Sequence, residues 1–308
     1  MRKFISLFLT GFICLSCTQT KKSFLETKDA YFGLTPPGLI PEVFAPSIVS
    51  DSSWAEHCQV AISPKGNEIY WSRFTNDVPE QIYFSKFINN NWTRPKLADF
   101  IKGDLSNLNG QPTFSPDGNK LFFYSRNRPG GLGYIDVWYI EREDDGWSKP
   151  INAGQPLNTD GDDRPPIITN KGNAYTMGRN FAKNKVDYLK FNYTDGKFSA
   201  PSAVSTYGDS QYWWPLYVSP DESYLIFPSA LAGGFGGLDL YVCFKDENDI
   251  WGKPINLGPE INTKVSERFP TVSPDGKYLF FMRHAESWDI FWVSTEIFDE
   301  LRKSDLFK

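Results

Sequence analysis

The sequence predicts an all-β fold, a β-propeller of five four-stranded blades, and three observations predict it. A tight-turn motif returns five times, at Ser63-Pro64-Lys65-Gly66, Ser115-Pro116-Asp117-Gly118, Thr169-Asn170-Lys171-Gly172, Ser219-Pro220-Asp221-Glu222 and Ser273-Pro274-Asp275-Gly276, spaced by 52, 54, 50 and 54 residues. The intervals are filled with short aromatic and β-branched runs, which is the signature of a radial repeat. An aromatic also stands three residues before a proline in four repeats, at Trp92/Pro95, Trp147/Pro150, Phe198/Pro201 and Trp251/Pro254.

Residues 1–16 read as a signal peptide. Arg2 and Lys3 precede an apolar run from Phe4 to Leu15, too short to span a bilayer. A small residue, Ser16, stands directly before Cys17. This resembles a bacterial lipobox, with Cys14 as its departure from the usual pattern. The resemblance implies that Cys17 is lipidated and anchors the chain to a membrane leaflet, with residues 17–30 as a polar tether and residues 31–308 as the propeller. The expected address is the bacterial cell envelope, as an outer-membrane lipoprotein facing the periplasm. A cleaved, secreted protein is the plainer alternative.

The second repeat shows how one blade is built. Gln111–Phe114 is the first strand, and Ser115-Pro116-Asp117-Gly118 the turn; proline presets φ, Asp bonds the backbone and Gly accepts φ > 0. Leu121–Ser125 and Asp136–Ile140 follow as second and third strands, separated by a loop with Gly130, Gly131 and Gly133. Trp147–Asn152 is the outer strand, where a proline's missing donor costs little. The last repeat lacks an outer strand. Glu42–Val49, with Val43 and Pro46 in the aromatic and proline slots, is expected to supply it and so close the ring.

Ser-Pro-Asp-Gly, an aromatic strand, then Gly-Gly-x-Gly-x-x-Asp before a third strand resembles the WD40-like (PD40) repeat, also found in the propeller of periplasmic TolB. Residues 109–158 and 211–263 carry the fullest likeness. It implies the propeller and, more weakly, a scaffold or interaction role, since one fold hosts unrelated functions.

Composition narrows the partners. Net charge is −5, and −7 once Arg2 and Lys3 are removed, without the concentrated basic face that nucleic acid requires. Cys58 and Cys243 fall in repeats 1 and 4, which are not neighbours in a ring of five. They read as small core residues rather than a disulfide.

Blade topology puts the ends of second strands, the starts of third strands and the approaches to first strands on one face, opposite the Ser-Pro-Asp-Gly turns. Arg73, Arg126, Arg179, Ser229 and Arg283 end the second strands, and Gln81, Asp136, Asp187, Asp239 and Asp289 begin the third. His57, Asn109, Asp163, Trp213 and Glu267 precede the first strands, followed in two repeats by Arg164 and Arg268. A repeated Arg–Asp pairing within each blade is the structural expectation for the first two sets. The candidate ligand-binding residues are His57, Asp163, Arg164, Gln211, Tyr212, Trp213, Glu267, Arg268, Arg73, Arg126, Arg179 and Arg283. Repeat 4 departs most, with Gln211-Tyr212-Trp213-Trp214 where others carry short polar residues; aromatics beside polar groups suit glycan or peptide contacts.

The Gly-rich loops join strand to strand, so they lack a phosphate-binding helix N-terminus. Asp160-Gly161-Asp162-Asp163 reads as a solvated turn. His57 and His284 sit in adjacent repeats, but no Cys/His spacing completes a zinc site. No cofactor and no metal are expected. The expected function is a lipid-anchored envelope propeller that binds a protein, peptide or glycan through its channel face. The alternative is a carbohydrate-active hydrolase or lyase using carboxylates, His57 and arginines at the channel mouth.

Overall fold

A computed structural model describes residues 22–51, 53–103, 105–144, 146–180, 185–204, 214–284 and 287–305. Cys17 and the signal peptide lie outside them, as do Gln211, Tyr212 and Trp213; Arg179 is described by its backbone only.

The chain is an all-β propeller. Its described strands form four hydrogen-bonded sheets, the largest joining two antiparallel up-and-down units through a parallel bridge between Asp162 and Ile135, and are described below as five such units. Unit 1 runs Ala55–Ile62, Glu68–Phe74, Gln81–Ile88; unit 2 runs Asn109–Phe114, Lys120–Arg126, Ile135–Glu143. Unit 3 is built on Asn173–Asn180 and Lys185–Thr194, with a broken first strand at Asp162–Asp163 and Ile167–Ile168. Unit 4 runs Tyr217–Val218, Tyr224–Ser229, Asp239–Phe244, Ile255–Asn256, and unit 5 runs Ser266–Val272, Tyr278–His284, Trp288–Ser294.

The proline in the outer strand divides it in units 1 to 3. Asn91–Trp92 and Lys96–Leu97, Gly146–Trp147 and Ile151–Asn152, and Lys197–Phe198 and Ser202–Ala203 pair separately with the third strand of their unit. The break corrects the single strand expected over Trp147–Asn152. The N-terminal segment does supply the outer strand of unit 5, over the shorter span Glu42–Val43, which faces Trp292 and Phe291.

Apolar contact lies between the units. Trp71 and Val60 of unit 1 share a core with Phe280 and Trp292 of unit 5. Tyr70 and Ile82 meet Phe123 and Ile140 of unit 2, and Phe122 and Val137 meet Phe191 of unit 3. Met177 and Tyr188 meet Leu225 and Cys243 of unit 4, while Ile226 and Val242 meet Leu279 and Val293 of unit 5. A lone four-stranded unit has two apolar faces and cannot bury both, so neighbour packing carries the fold. Cys58 and Cys243 are both buried and free.

Part of the segment expected as a tether over 17–30 is packed on the propeller. Leu25, Ala30 and Tyr31 are buried in the core between units 1 and 5, and Trp92 Nε1 donates to the Asp29 carbonyl at 2.7 Å. An unforeseen helix, Ile297–Asp305, packs Ile297 and Phe298 on units 4 and 5. Among the described residues no helix is long and apolar enough to cross a membrane.

The repeated turns ring one mouth of the channel. Pro64, Pro116, Asn170, Pro220 and Pro274 line a cavity of about 280 Å³ there. Gly66, Gly118, Gly172 and Gly276 hold φ between 72° and 80°. Glu222 takes the same left-handed conformation at φ 57°, without glycine's freedom. Its carboxylate compensates by accepting from Thr169, Asn173 and Tyr175 of unit 3 and from Lys245.

Candidate functional site

The opposite mouth collects equivalent residues from units 1, 2, 3 and 5, and strand register identifies them. Glu56 faces Arg73 and His57 faces Ser72 in unit 1; Glu267 faces Arg283 and Arg268 faces Met282 in unit 5. Asn109 faces Ser125 and Gly110 faces Tyr124 in unit 2, and Asp163 faces Gly178 in unit 3. Equivalent positions are therefore Glu56, Asn109, Asp163 and Glu267, and next to them His57, Gly110, Arg164 and Arg268. The sequence alignment placed His57 one position early. The reason is a larger bulge in unit 1: three residues, 58–60, oppose Trp71, whereas units 2 and 5 fit two residues against one. Cys58, Gln111 and Phe269 follow the aligned set, at φ 66°, 54° and 52°.

The first set serves the architecture. Asp163 accepts from the Thr159 amide at 2.6 Å and from its hydroxyl, and Glu267 does the same with Thr263. Burial pushes the Asp163 carboxyl up to about 6 against the pull of those bonds. Burial also raises Glu267, opposed by Thr263 and Arg283.

Among the residues whose side chains are described, the Arg–Asp pairing expected between second and third strands does not form. Asp136 and Asp239 instead hold the Gly-rich loops. Asp136 accepts from the amides of Leu132 and Gly133 and from Asn152; Asp239 accepts from Phe235, Gly236 and Asn256. A Cβ at Gly131 would lie 2.4 Å from the Asp136 carboxylate, and one at Gly234 would lie 2.6 Å from that of Asp239. Close approach therefore explains these glycines.

The arginines find other partners. Arg283 Nε donates to Glu267 Oε1 at 3.1 Å. Arg73 lies over the rings of Trp54 and Tyr83, 4.3 and 3.7 Å from their centroids. Arg126 donates to the Tyr134 hydroxyl at 3.0 Å. Arg73 and Arg283 are thereby drawn into packing, while Arg126 pairs with an exposed tyrosine.

At the mouth the side chains form a nearly continuous chain of contacts. Arg268 sits 4.1 Å over Trp214, and Trp214 meets Phe269 edge-on at 5.3 Å. Phe269 and Trp288 flank His57 at 5.1 and 5.9 Å. His57 Nδ1 lies 2.9 Å from Glu80 Oε2, and the Tyr124 hydroxyl donates to the same oxygen. Arg164 closes the sequence 4.8 Å over Tyr124. His284 packs on Trp288 with the rings tilted by 41° and their centroids 4.1 Å apart, so a tryptophan separates the two histidines.

Glu80 precedes the third strand of unit 1 and reaches into unit 2. Gly110 makes this possible, because a Cβ there would lie 2.1 Å from Glu80 Oε1. Cys58 Sγ sits 3.2 Å from His57 Nδ1 and 3.3 Å from Glu80 Oε1. Burial would raise the Glu80 carboxyl, but the His57 charge and bonds from His57, Tyr124 and Cys58 outweigh it and hold it below its usual range. Burial and that same carboxylate push the Cys58 thiol well up, which argues against a nucleophilic cysteine.

Sequence reasoning missed Glu80, Tyr124 and Cys58 as mouth residues. One signal was available: Gly110 occupies a position where units 1, 3 and 5 carry large polar side chains. A cleft of about 740 Å³ also opens at the rim between units 1 and 2, lined by Tyr70, Trp138 and Trp147. It lies apart from the mouth residues, and the Tyr70 hydroxyl is already engaged by Glu68 and Trp147.

The sequence matches no protein-family model and no curated protein. Solved structures similar to it include TolB from Acinetobacter baumannii, at 13% identity and TM-score 0.46, covering 76% of this chain and 53% of that one. This chain thus spans about half of that TolB. The Bacillus subtilis arabinanase Arb43A is similar at 11% identity and TM-score 0.45, with 78% and 94% covered. A thermostable family-43 glycoside hydrolase is similar at 13% identity and TM-score 0.46, with 80% and 90% covered. The propeller stands on the strand order and pairing described above.

Proposed function

We propose that this chain is a lipid-anchored propeller of a bacterial cell envelope whose channel mouth binds an anionic peptide or glycan, free or as part of an envelope protein. One observation carries the reading: Arg164 and Arg268 lie on aromatic faces at the mouth and, among the described residues, meet no carboxylate within ion-pair distance. Arg268 Nε is buried without a hydrogen-bond partner, and burial lowers its guanidinium's proton affinity. A carboxylate-bearing ligand would satisfy both guanidiniums, while Trp214 and Trp288 offer stacking surface. Trp213, Tyr212 and Gln211 belong to the same approach by sequence.

The hydrolase or lyase alternative has less behind it. Asp163 and Glu267 are occupied by threonine loops, and Glu80 by His57, Tyr124 and Cys58. No free carboxylate pair is left among these three to act as acid and base, and Glu56, the remaining carboxylate of the aligned set, is fully buried.

Binding is tested by calorimetry on the mature chain with uronic-acid oligosaccharides and acidic peptides, chosen from glycan and peptide arrays. Charge-assisted bonds of about 1.5–3 kcal/mol predict a loss of roughly ten- to a hundredfold for Arg164→Ala and for Arg268→Ala. Full affinity in the double variant would refute the proposed mouth. The anchor has a separate test: Cys17→Ser should abolish acyl labelling and membrane association, and unchanged labelling would refute it.

A further inference from the structure

His57 Nδ1, Cys58 Sγ and the Glu80 carboxylate are three different metal-ligating groups, all within 4.8 Å of one another. Consecutive residues of a regular strand point to opposite faces. The bulge that sets Cys58 at φ 66° breaks that alternation and brings its sulfur to the side of His57. The third donor comes from a different strand approach, and Gly110 keeps its place clear. Three donors thus converge from two chain segments at the channel mouth.

The geometry points to a divalent-cation site of the zinc class at His57, Cys58 and Glu80. Bonds of about 2.0–2.1 Å to nitrogen, 2.3 Å to sulfur and 2.0–2.2 Å to oxygen give a tetrahedral site donor separations of about 3.4–3.6 Å. Here His57 Nδ1 lies 3.2 Å from Cys58 Sγ, and the Glu80 carboxylate meets the two with different oxygens, Oε2 at 2.9 Å from the nitrogen and Oε1 at 3.3 Å from the sulfur, so nitrogen and sulfur need to part by only a few tenths of an ångström while the carboxylate turns one oxygen to the ion. A nitrogen, a sulfur and a carboxylate oxygen form a mixed set suited to zinc rather than to calcium or magnesium, which take oxygen ligands. Cys58 would bind as the thiolate and His57 through an unprotonated Nδ1, with the displaced protons released to solvent. The Tyr124 hydroxyl on Glu80 Oε2 acts as an outer partner that orients the carboxylate. Three protein donors leave a fourth position for water or for a ligand donor.

The test uses the full mature chain, stripped with a chelator and titrated with Zn²⁺ and, as a spectroscopic probe, with Co²⁺. One equivalent of zinc should bind. The cobalt form should show a thiolate-to-cobalt charge-transfer band with the visible spectrum of a tetrahedral ion. Cys58→Ser should erase the charge-transfer band, and Glu80→Gln should weaken zinc at least tenfold. Gly110→Ala, which leaves every donor in place but crowds Glu80, should also weaken it. Circular dichroism of each metal-free variant separates loss of the site from loss of the fold; for a variant that does not fold, the spectrum of the parent chain decides. Failure of the parent chain to retain an equivalent of zinc, or a charge-transfer band that survives Cys58→Ser, would overturn the site. Neither result touches the anionic-ligand reading, which rests on Arg164 and Arg268.

Discussion

Glu56→Gln is expected to stabilise this protein at neutral pH. Glu56 is fully buried and, among the described residues, has no cationic partner; neither carboxylate oxygen meets a donor in full hydrogen-bonding geometry, and the nearby Asp51 amide and Ser50 hydroxyl favour its charge only weakly against burial. Its equivalent in unit 5, Glu267, is met by Arg283 at 3.1 Å. In unit 1 the corresponding arginine, Arg73, is turned away between Trp54 and Tyr83. Burial, followed by the nearby charge of Asp289, pushes the Glu56 carboxyl from 4.5 up to about 9. The folded chain therefore holds this proton while the unfolded chain releases it. The cost of folding is absent below about pH 4 and grows by about 1.4 kcal/mol per pH unit as pH rises toward 9. At pH 7 it amounts to about 3 kcal/mol. A carboxamide of the same shape does not titrate and escapes it. Urea unfolding of both proteins at pH 4 and pH 7 gives the comparison. The variant should gain about 3 kcal/mol at pH 7 and almost nothing at pH 4. An equal difference at both values would refute a protonated, unpaired Glu56.

Glu222→Ala should cost about 3 kcal/mol, because it strips partners from Thr169, Asn173 and Tyr175 and leaves Lys245 with the exposed Asp249 and the face of Trp251. Burial works against the Glu222 charge, but its bonds from Asn173, Thr169, Tyr175 and Lys245 hold the carboxyl below its usual range. Its contribution is present above the unfolded pKa and lost as pH falls through the folded one, so the gap between the two proteins should narrow in acid urea titrations. Gly236→Ala should lower the melting temperature by several degrees, since the new Cβ would lie 2.1 Å from the Val265 carbonyl and 2.2 Å from that of Thr263. Gly38→Ala, with nothing within 4 Å, is the control that should melt unchanged.

Much of the architecture was legible because its causes are local. A Ser-Pro-Asp-Gly turn needs its own four residues, so each hairpin could be read where it stands. The outer-strand proline and the N-terminal strand that completes unit 5 followed from the same register. The candidate site was legible only in part. Arg164, Arg268 and His57 were visible as departures from the repeat. Cys58 read as plain core, and Glu80 had no repeat partner to mark it. The Arg–Asp pairing looked plausible from recurrence alone, yet Asp136 and Asp239 are held by backbone amides a few residues upstream. Such amides carry no sequence label.

By itself the sequence determined the propeller, the period of its units, the face occupied by the turns and the positions where glycine is required. The tertiary structure alone decided which side chains meet. One extra residue in the unit 1 bulge put Glu56 in the place assigned to His57, and a left-handed Cys58 brought its thiol beside that imidazole. Packing of unit 1 against unit 2 then carried Glu80 into the gap above Gly110. Hydrogen-bonding reach is about 3 Å, and a shift of one residue along a strand is about as large. Contacts across units therefore depend on the bulges and crossings that chain order does not record.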